Sequence, residues 1–384
     1  MDTVLSSIPL VGWGPILATA AIAVAFLIIA VLLWRSHQVW RWVFVALFVL
    51  AGLAAAADLV NTRYAYYDTL ADLFGIPTYP TLDGIATAPT VQPQPTTPAP
   101  SPTVEPQPTS PAPSPTPTVQ PQPNGLVTKI NIPDTNSHFG QFDANVWLPP
   151  QYFTDSRAHF PVILLIHGNP GSNNDWLNGS FAADTGLASA QAGKPVILVF
   201  PTVLQNGFTG DSLCLDTASN GNAETYLLKD VVPTIDNTFR TNVDPRQRGI
   251  GGLSMGGYCG LNLGLKHPDV FQISLDFSGE TYPVADTLPG GLKQLFGANY
   301  QQQADANDPS KYWSQLDGSK GPAVFLYSGT GDTAILSAMQ KLAPQLKSKG
   351  FTVELQSGPG AHEFPTFGNG FKAALPWAAA RFYP

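Results

Sequence analysis

The chain has 384 residues, a formal net charge of −8 at pH 7 and only 12% charged residues. An acidic chain of this kind excludes a general polyanion binder, so no nucleic-acid partner is expected. Two cysteines exclude a disulfide framework and a Cys-rich metal site, and no P-loop, HExxH or strand-following GxGxxG occurs.

Residues 16–34 contain no charge and are long enough to span a bilayer as a helix. A second apolar run extends from Trp42 to Ala57, and Arg35 and Arg41 lie in the short link between the two. Basic residues mark the cytoplasmic side of a membrane hairpin, which places the link inside and everything after about residue 60 outside. Trp13, Trp34, Trp40 and Trp42 fall near the expected interfaces. The rival reading is a signal sequence over residues 41–57, cut near Ala55-Ala56-Ala57; it exports the rest of the chain equally. Residues 1–65 are thus expected as a two-helix transmembrane anchor and 66–125 as an extracytoplasmic linker.

From Pro89 to Pro123 the linker consists mainly of Pro, Thr, Gln, Ser and Ala, and an eleven-residue unit starting at Pro93 returns at Pro106 with Ser for Thr at one position. Such a stretch cannot bury a core and favours polyproline II. At about 3.1 Å per residue it could reach on the order of 100 Å, the length of a stalk.

Residues 126–384 are large enough for one sizeable core. Thr128 to Ile132 and Phe142 to Leu148 read as an opening hairpin. Phe160 to Ile166 and Pro195 to Phe200 are continuous apolar runs, as expected of central parallel strands buried on both faces. Helical patterns follow at 181–192 and 223–239. A strand from Gln247 leads to Gly251, a helix runs from Tyr258 to Lys266, and further strands are expected at 271–277, 323–327 and 352–356, with a helix at 335–349 between the last two. This alternation predicts a doubly wound, mostly parallel α/β sheet.

The chemistry centres on Gly252-Leu253-Ser254-Met255-Gly256. A serine on a tight strand-to-helix turn is lifted from the sheet, and the flanking glycines are needed because side chains there would clash. Asp332 and His362 follow, each on a loop past a strand's carboxyl end, in the order nucleophile, acid, base. His362 would take the Ser254 proton and Asp332 would hold the imidazole. Asp276 is a rival acid, and Asp332 has the alternative role of capping the next helix. The loop His167-Gly168-Asn169-Pro170 after Ile166 supplies one oxyanion donor, the Asn169 N–H, and Met255 supplies the other. His167 is expected to pack or hydrogen-bond within its loop. Glu224 reads as a structural acid at a helix start, and Trp176 and Phe208 as candidate pocket residues or core. Residues 201–221 leave a lid open. Cys214 and Cys259 are either bridged, closing a loop of about 46 residues, or two buried thiols. Gly256, Gly260 and Gly264 form a stripe expected to pack closely on the sheet.

On these residues, with Leu164-Leu165-Ile166-His167-Gly168, Ala223-Glu224-Thr225-Tyr226-Leu227, His267-Pro268, Ser278-Gly279, Gly329-Thr330-Gly331-Asp332 and Gly360-Ala361-His362, the globular part resembles the esterase family of α/β-hydrolases. That family includes esterase D, feruloyl and acetyl esterases and the mycobacterial mycolyltransferases. The resemblance implies an α/β-hydrolase fold, a Ser254–His362–Asp332 triad, oxyanion donors at Asn169 and Met255, and no metal or cofactor. It implies an extracytoplasmic serine esterase acting on cell-envelope or carbohydrate-linked acyl esters, or an acyltransferase to an envelope sugar or lipid. Mycolyltransferases read Asp-Gly-Leu-Arg at the oxyanion loop, and the arginine for a sugar acceptor is missing here. A different class, a non-catalytic wall-binding module on the same scaffold, is the remaining alternative.

Overall fold

The computed structural model describes residues 5, 8–35, 38–64, 67, 69–73, 81–83, 122–178, 181–205 and 210–384. The proline tract, as far as residue 121, and Phe208 lie outside them.

Near the N-terminus the apolar runs form the helices Trp13–Leu32 and Gln38–Tyr64, both long and apolar enough to cross a membrane. They lie antiparallel. Phe26 and Phe44 rings meet at 6.1 Å, Thr19 Oγ1 donates to Asp58 Oδ2 at 2.9 Å, and the Gly12 N–H donates to Thr62 Oγ1 at 3.1 Å. In the first turn of the second helix Arg41 donates to the Trp34 carbonyl and lies over the Trp34 and Trp42 rings.

The remaining strands are β1 Thr81–Asp83, β2 Leu126–Ile132, β3 Phe142–Leu148, β4 Val162–Ile166, β5 Ile197–Phe200, β6 Asp216–Thr217, β7 Gly221–Asn222, β8 Arg248–Leu253, β9 Ile273–Phe277, β10 Ala323–Gly329 and β11 Val353–Gly358. Nine of them form one sheet in the order β1-β2-β3-β5-β4-β8-β9-β10-β11, and β6 and β7 make a separate two-stranded ribbon. Within the sheet β3 is antiparallel to both β2 and β5, and every other pair is parallel. This mostly parallel sheet with helices on both faces is the α/β-hydrolase fold.

Burial on both faces explains the apolar runs. In β4, Val162, Leu164 and Ile166 point into the core on one side, while Ile163 and Leu165 point into the core on the other. The first side is filled by Met255, Tyr258, Cys259 and Leu263 from the helix Met255–Lys266. The second is filled by the helices Phe181–Gln191 and Phe364–Phe382.

The glycine stripe packs as expected. A Cβ on Gly260 would lie 2.5 Å from the Gly251 Cα, and one on Gly264 would lie 2.8 Å from the Ser274 Cβ.

The expected single helix 223–239 is instead three segments, with a π turn at Tyr226–Val231 between Ala223–Thr225 and Val232–Thr238. Pro233 has no N–H to return to the preceding turn, and the ladder widens there.

Cys214 and Cys259 are joined in a disulfide, with Cα atoms 5.6 Å apart. The bridge ties the loop between β5 and β6 to the helix that follows Ser254. Closing a loop of this length is worth about 4 kcal/mol on the chain-entropy model. Replacing both cysteines by serine should lower the denaturant midpoint correspondingly, and an unchanged midpoint would contradict it.

Candidate active site

The chain runs from β4 to β5 on one side of β4, and β8 pairs on its other side. At such a reversal the loops beyond the carboxyl ends of the strands diverge and leave a crevice. Ser254, beyond β8, and the loop Gly168–Asn169, beyond β4, face each other there. An added Cβ on Gly168 would sit 3.4 Å from the Ser254 Cβ.

Ser254 occupies the turn between β8 and its helix at φ 55°, ψ −124°, a left-handed conformation that costs a non-glycine residue. Its N–H donates to the Phe277 carbonyl at 2.9 Å, tying the turn to β9. Gly252 and Gly256 are required by close approach. A Cβ on Gly252 would lie 2.4 Å from the Gly256 carbonyl, and one on Gly256 would lie 2.2 Å from the Ile166 carbonyl.

Asp332 follows β10 and precedes the helix Thr333–Ser348, and His362 follows β11. The two loops are stitched together by the Thr330 N–H to the Gly358 carbonyl at 2.7 Å and the Gly331 N–H to the Gly360 carbonyl at 2.8 Å. His362 Nδ1 donates to Asp332 Oδ2 at 2.8 Å, and Ser254 Oγ donates to His362 Nε2 at 2.8 Å. The carboxylate thereby fixes the imidazole tautomer, leaving Nε2 as the proton acceptor. The Phe367 ring meets His362 edge-on at 5.1 Å. The Asp332 side chain is 12% exposed and that of His362 39%, so the carboxylate is sheltered while the imidazole reaches the surface.

The Asp332 carboxylate makes no capping bond to its helix. The rival Asp276 is fully buried in β9, where its Oδ1 accepts from the Gly279 N–H at 2.7 Å. Its Oδ2 has no partner among the described residues, and burial pushes the carboxyl well above the usual range. Asp276 is thus bound to the Gly279 N–H, whereas the carboxylate that holds His362 Nδ1 is that of Asp332.

Met255 begins its helix, so its N–H has no intrahelical acceptor and is free to meet an anion. The Asn169 backbone lies on the opposing loop, one residue from the Gly168–Ser254 contact.

His167 anchors that loop. Nδ1 donates to the Gly168 carbonyl at 2.8 Å, and Nε2 accepts from the Val203 N–H at 3.1 Å. Burial lowers its pKa from 6.5 to about 4. The unfolded chain takes up a proton that the folded chain refuses, so this group's stability is complete above pH 6.5 and is lost as pH falls toward 4. The loss amounts to about 2 kcal/mol between pH 7 and pH 5. His167→Gln should remove that part of the acid sensitivity when unfolding is compared at the two pH values; equal losses in both proteins would contradict it.

Glu224 is structural, paired with Lys266 Nζ at 3.0 Å and His267 Nε2 at 2.7 Å. Trp176 is core rather than pocket: it is fully buried and its Nε1 donates to the Ile166 carbonyl at 2.9 Å. Glu280 is a neighbour that the sequence did not single out. Burial raises its carboxyl above the usual range; the His362 charge opposes this, and Asp332 and Asp286 add to it. Its one sequence signal is its place three residues beyond β9, a strand next to the one that leads to Ser254.

Comparison with known proteins matches residues 136–378 to the family model described as "Putative esterase". An uncharacterized protein of Corynebacterium glutamicum is 29% identical over 256 residues, which cover 65% of this chain and 59% of that protein. An esterase of Mycobacterium tuberculosis is 27% identical over 246 residues, which cover 57% of this chain and 52% of that one. The chain thus spans little more than half the length of these relatives. Among solved structures a ferulic acid esterase superimposes with a TM-score of 0.58 at 20% identity, over 67% of this chain and 99% of that chain.

Proposed function

The chain belongs to the esterase family of serine hydrolases, and from that premise we propose that it is a membrane-anchored, extracytoplasmic serine esterase working through an acyl-Ser254 intermediate. The observation that carries this reading is the unbroken chain of two 2.8 Å hydrogen bonds from Ser254 through His362 to Asp332.

Ser254 Oγ attacks the ester carbonyl while His362 Nε2 takes its proton, and Asp332 stabilises the imidazolium that results. The carbonyl oxygen becomes an oxyanion between the backbone N–H groups of Asn169 and Met255. As the tetrahedral species collapses, the ester C–O bond breaks and the imidazolium gives its proton to the departing alcohol. Water then enters, gives a proton to His362 and attacks the acyl-serine; the acid is released and Ser254 regains its proton.

The substrate class we favour is an acyl or aroyl ester on a carbohydrate or other envelope polymer. The fold neighbour titled a ferulic acid esterase supports the aroyl ester, and the likeness to an esterase of a mycobacterium supports an ester as substrate. The paired apolar helices, with Arg35 between them and Arg41 at the start of the second, support an anchor whose link faces the cytoplasm. The proline tract would then hold residues 126–384 away from the bilayer.

The test is stopped-flow hydrolysis of p-nitrophenyl acetate and a feruloyl ester by the full chain in detergent. An acyl-enzyme predicts hydrolysis with a nitrophenol burst stoichiometric with enzyme wherever deacylation is the slower step. No ester turnover by folded protein would sink the proposal.

A further inference from the structure

We infer that Asp211 and Thr287 are positioning residues for the oxyanion loop, acting through the side chain of Asn169. The inference rests on the acyl-Ser254 reading and names parts of the site that the triad does not contain.

Asn169 Nδ2 donates to Thr287 Oγ1 at 2.7 Å, and Thr287 Oγ1 donates to Asp211 Oδ2 at 3.1 Å. A hydroxyl has one proton. Giving it to the carboxylate leaves an oxygen lone pair for the Asn169 amide, so the direction of the whole chain is set by Asp211. Asp211 is only 3% exposed, and its carboxylate therefore acts through these bonds rather than through solvent. Asn169 and Thr287 are 118 residues apart in sequence. A chance polar contact of a mobile loop would not end on a buried acid.

A second tie reaches the same place. His167 links the Gly168 carbonyl to the Val203 N–H, so Val203 and Asp211 both hold the oxyanion loop. Ser212 joins the two ties: its Oγ donates to the Val203 carbonyl at 2.8 Å and accepts from the Cys214 N–H at 3.2 Å. Leu213 and Cys214 take left-handed angles, φ 48° and 53°, which neighbouring contacts must hold in place. Cys214 is bonded to Cys259 on the helix that Met255 begins. The supports of the two proposed oxyanion donors, Asn169 and Met255, therefore meet in one covalently closed unit. An oxyanion hole works by having its donors placed before charge develops, and a shell of this kind supplies that placement.

The test compares Thr287→Val, Thr287→Ser and wild type as full chains in detergent, with p-nitrophenyl acetate as substrate and an aryl trifluoromethyl ketone as oxyanion mimic. Misplacement of the loop predicts that Thr287→Val lowers kcat by about 10- to 100-fold. KM should stay within about threefold, and fluorophosphonate should still label the protein to full stoichiometry. The inhibition constant of the ketone should rise in proportion to the fall in kcat/KM, and Thr287→Ser should restore both, because it keeps the hydroxyl. A Thr287→Val enzyme with wild-type kcat and ketone affinity overturns the inference, as does a Thr287→Ser enzyme as impaired as the valine variant. If Thr287→Val does not fold, Asp211→Ala, which removes the acceptor of the Thr287 hydroxyl, decides: a kcat lowered about tenfold with full labelling supports the inference, and a wild-type kcat overturns it. Wild-type protein that is folded but never labelled at Ser254 removes the reading on which the inference stands, a result separate from any of these.

Discussion

Replacing Ser254 by alanine is expected to lower ester turnover by about a millionfold, the order of magnitude seen when a triad nucleophile is deleted. The structural cost should be small. Ser254 Oγ bonds His362, which remains held by Asp332 at 2.8 Å. Alanine also meets the positive φ of the turn no worse than serine does, since both carry one Cβ. The variant should therefore unfold at the wild-type denaturant midpoint while losing its nitrophenol burst. Substantial turnover by folded Ser254→Ala would mean that water is activated elsewhere and that the acyl-serine reading is wrong.

The second large effect separates two acids. Asp332→Asn should lower kcat by about 10³- to 10⁴-fold. Asparagine has no charge to offset the imidazolium, and when its amide nitrogen faces Nδ1 it selects the tautomer with no free acceptor at Nε2. Asp276→Asn should leave kcat within about threefold, because Asp276 is buried, its carboxyl is pushed above the usual range by that burial, and it is bonded to the Gly279 N–H; an asparagine carbonyl accepts that bond equally well. The same substitution should gain stability as pH rises. A carboxyl whose folded pKa lies above its unfolded value favours folding below the unfolded pKa and disfavours it increasingly up to the folded one, and asparagine has no such dependence. Steady-state rates for the two variants make the comparison. A collapsed Asp276→Asn beside an active Asp332→Asn would reverse the assignment.

Much of the site was legible because it lies in short loops whose neighbours are strands. Ser254, Asp332 and His362 each follow a strand, a buried glycine-rich one for Ser254, a continuous apolar run for Asp332 and an alternating edge strand for His362, so their common edge follows from the strand–loop–helix order. The oxyanion loop was legible for the same reason, since β4 is such a run. The disulfide was not legible. Whether Cys214 and Cys259 meet depends on a 5.6 Å Cα separation set by how the β5–β6 loop packs, and no local pattern encodes that. Helix Phe364–Phe382 was missed because Gly368, Gly370, Pro365 and Pro376 argue against a helix by propensity. Its buried positions, Phe367, Phe371, Ala374, Leu375, Ala378 and Phe382, do carry the three-to-four spacing, and packing on the sheet overrides the local preference. Thr287 and Asp211 were invisible for a further reason. Each is an ordinary loop residue, and their meaning lies only in the bonds that reach Asn169.

The central claim is that Ser254 is a nucleophile activated by His362. Its most direct test is to treat the full chain with a fluorophosphonate probe and locate the adduct by peptide mass spectrometry. The account predicts one adduct per chain, on Ser254 within residues 249–266, and a labelling rate that falls by orders of magnitude in His362→Gln. Folded protein that takes up no probe, or takes it up at another residue at a rate indifferent to His362, would contradict it.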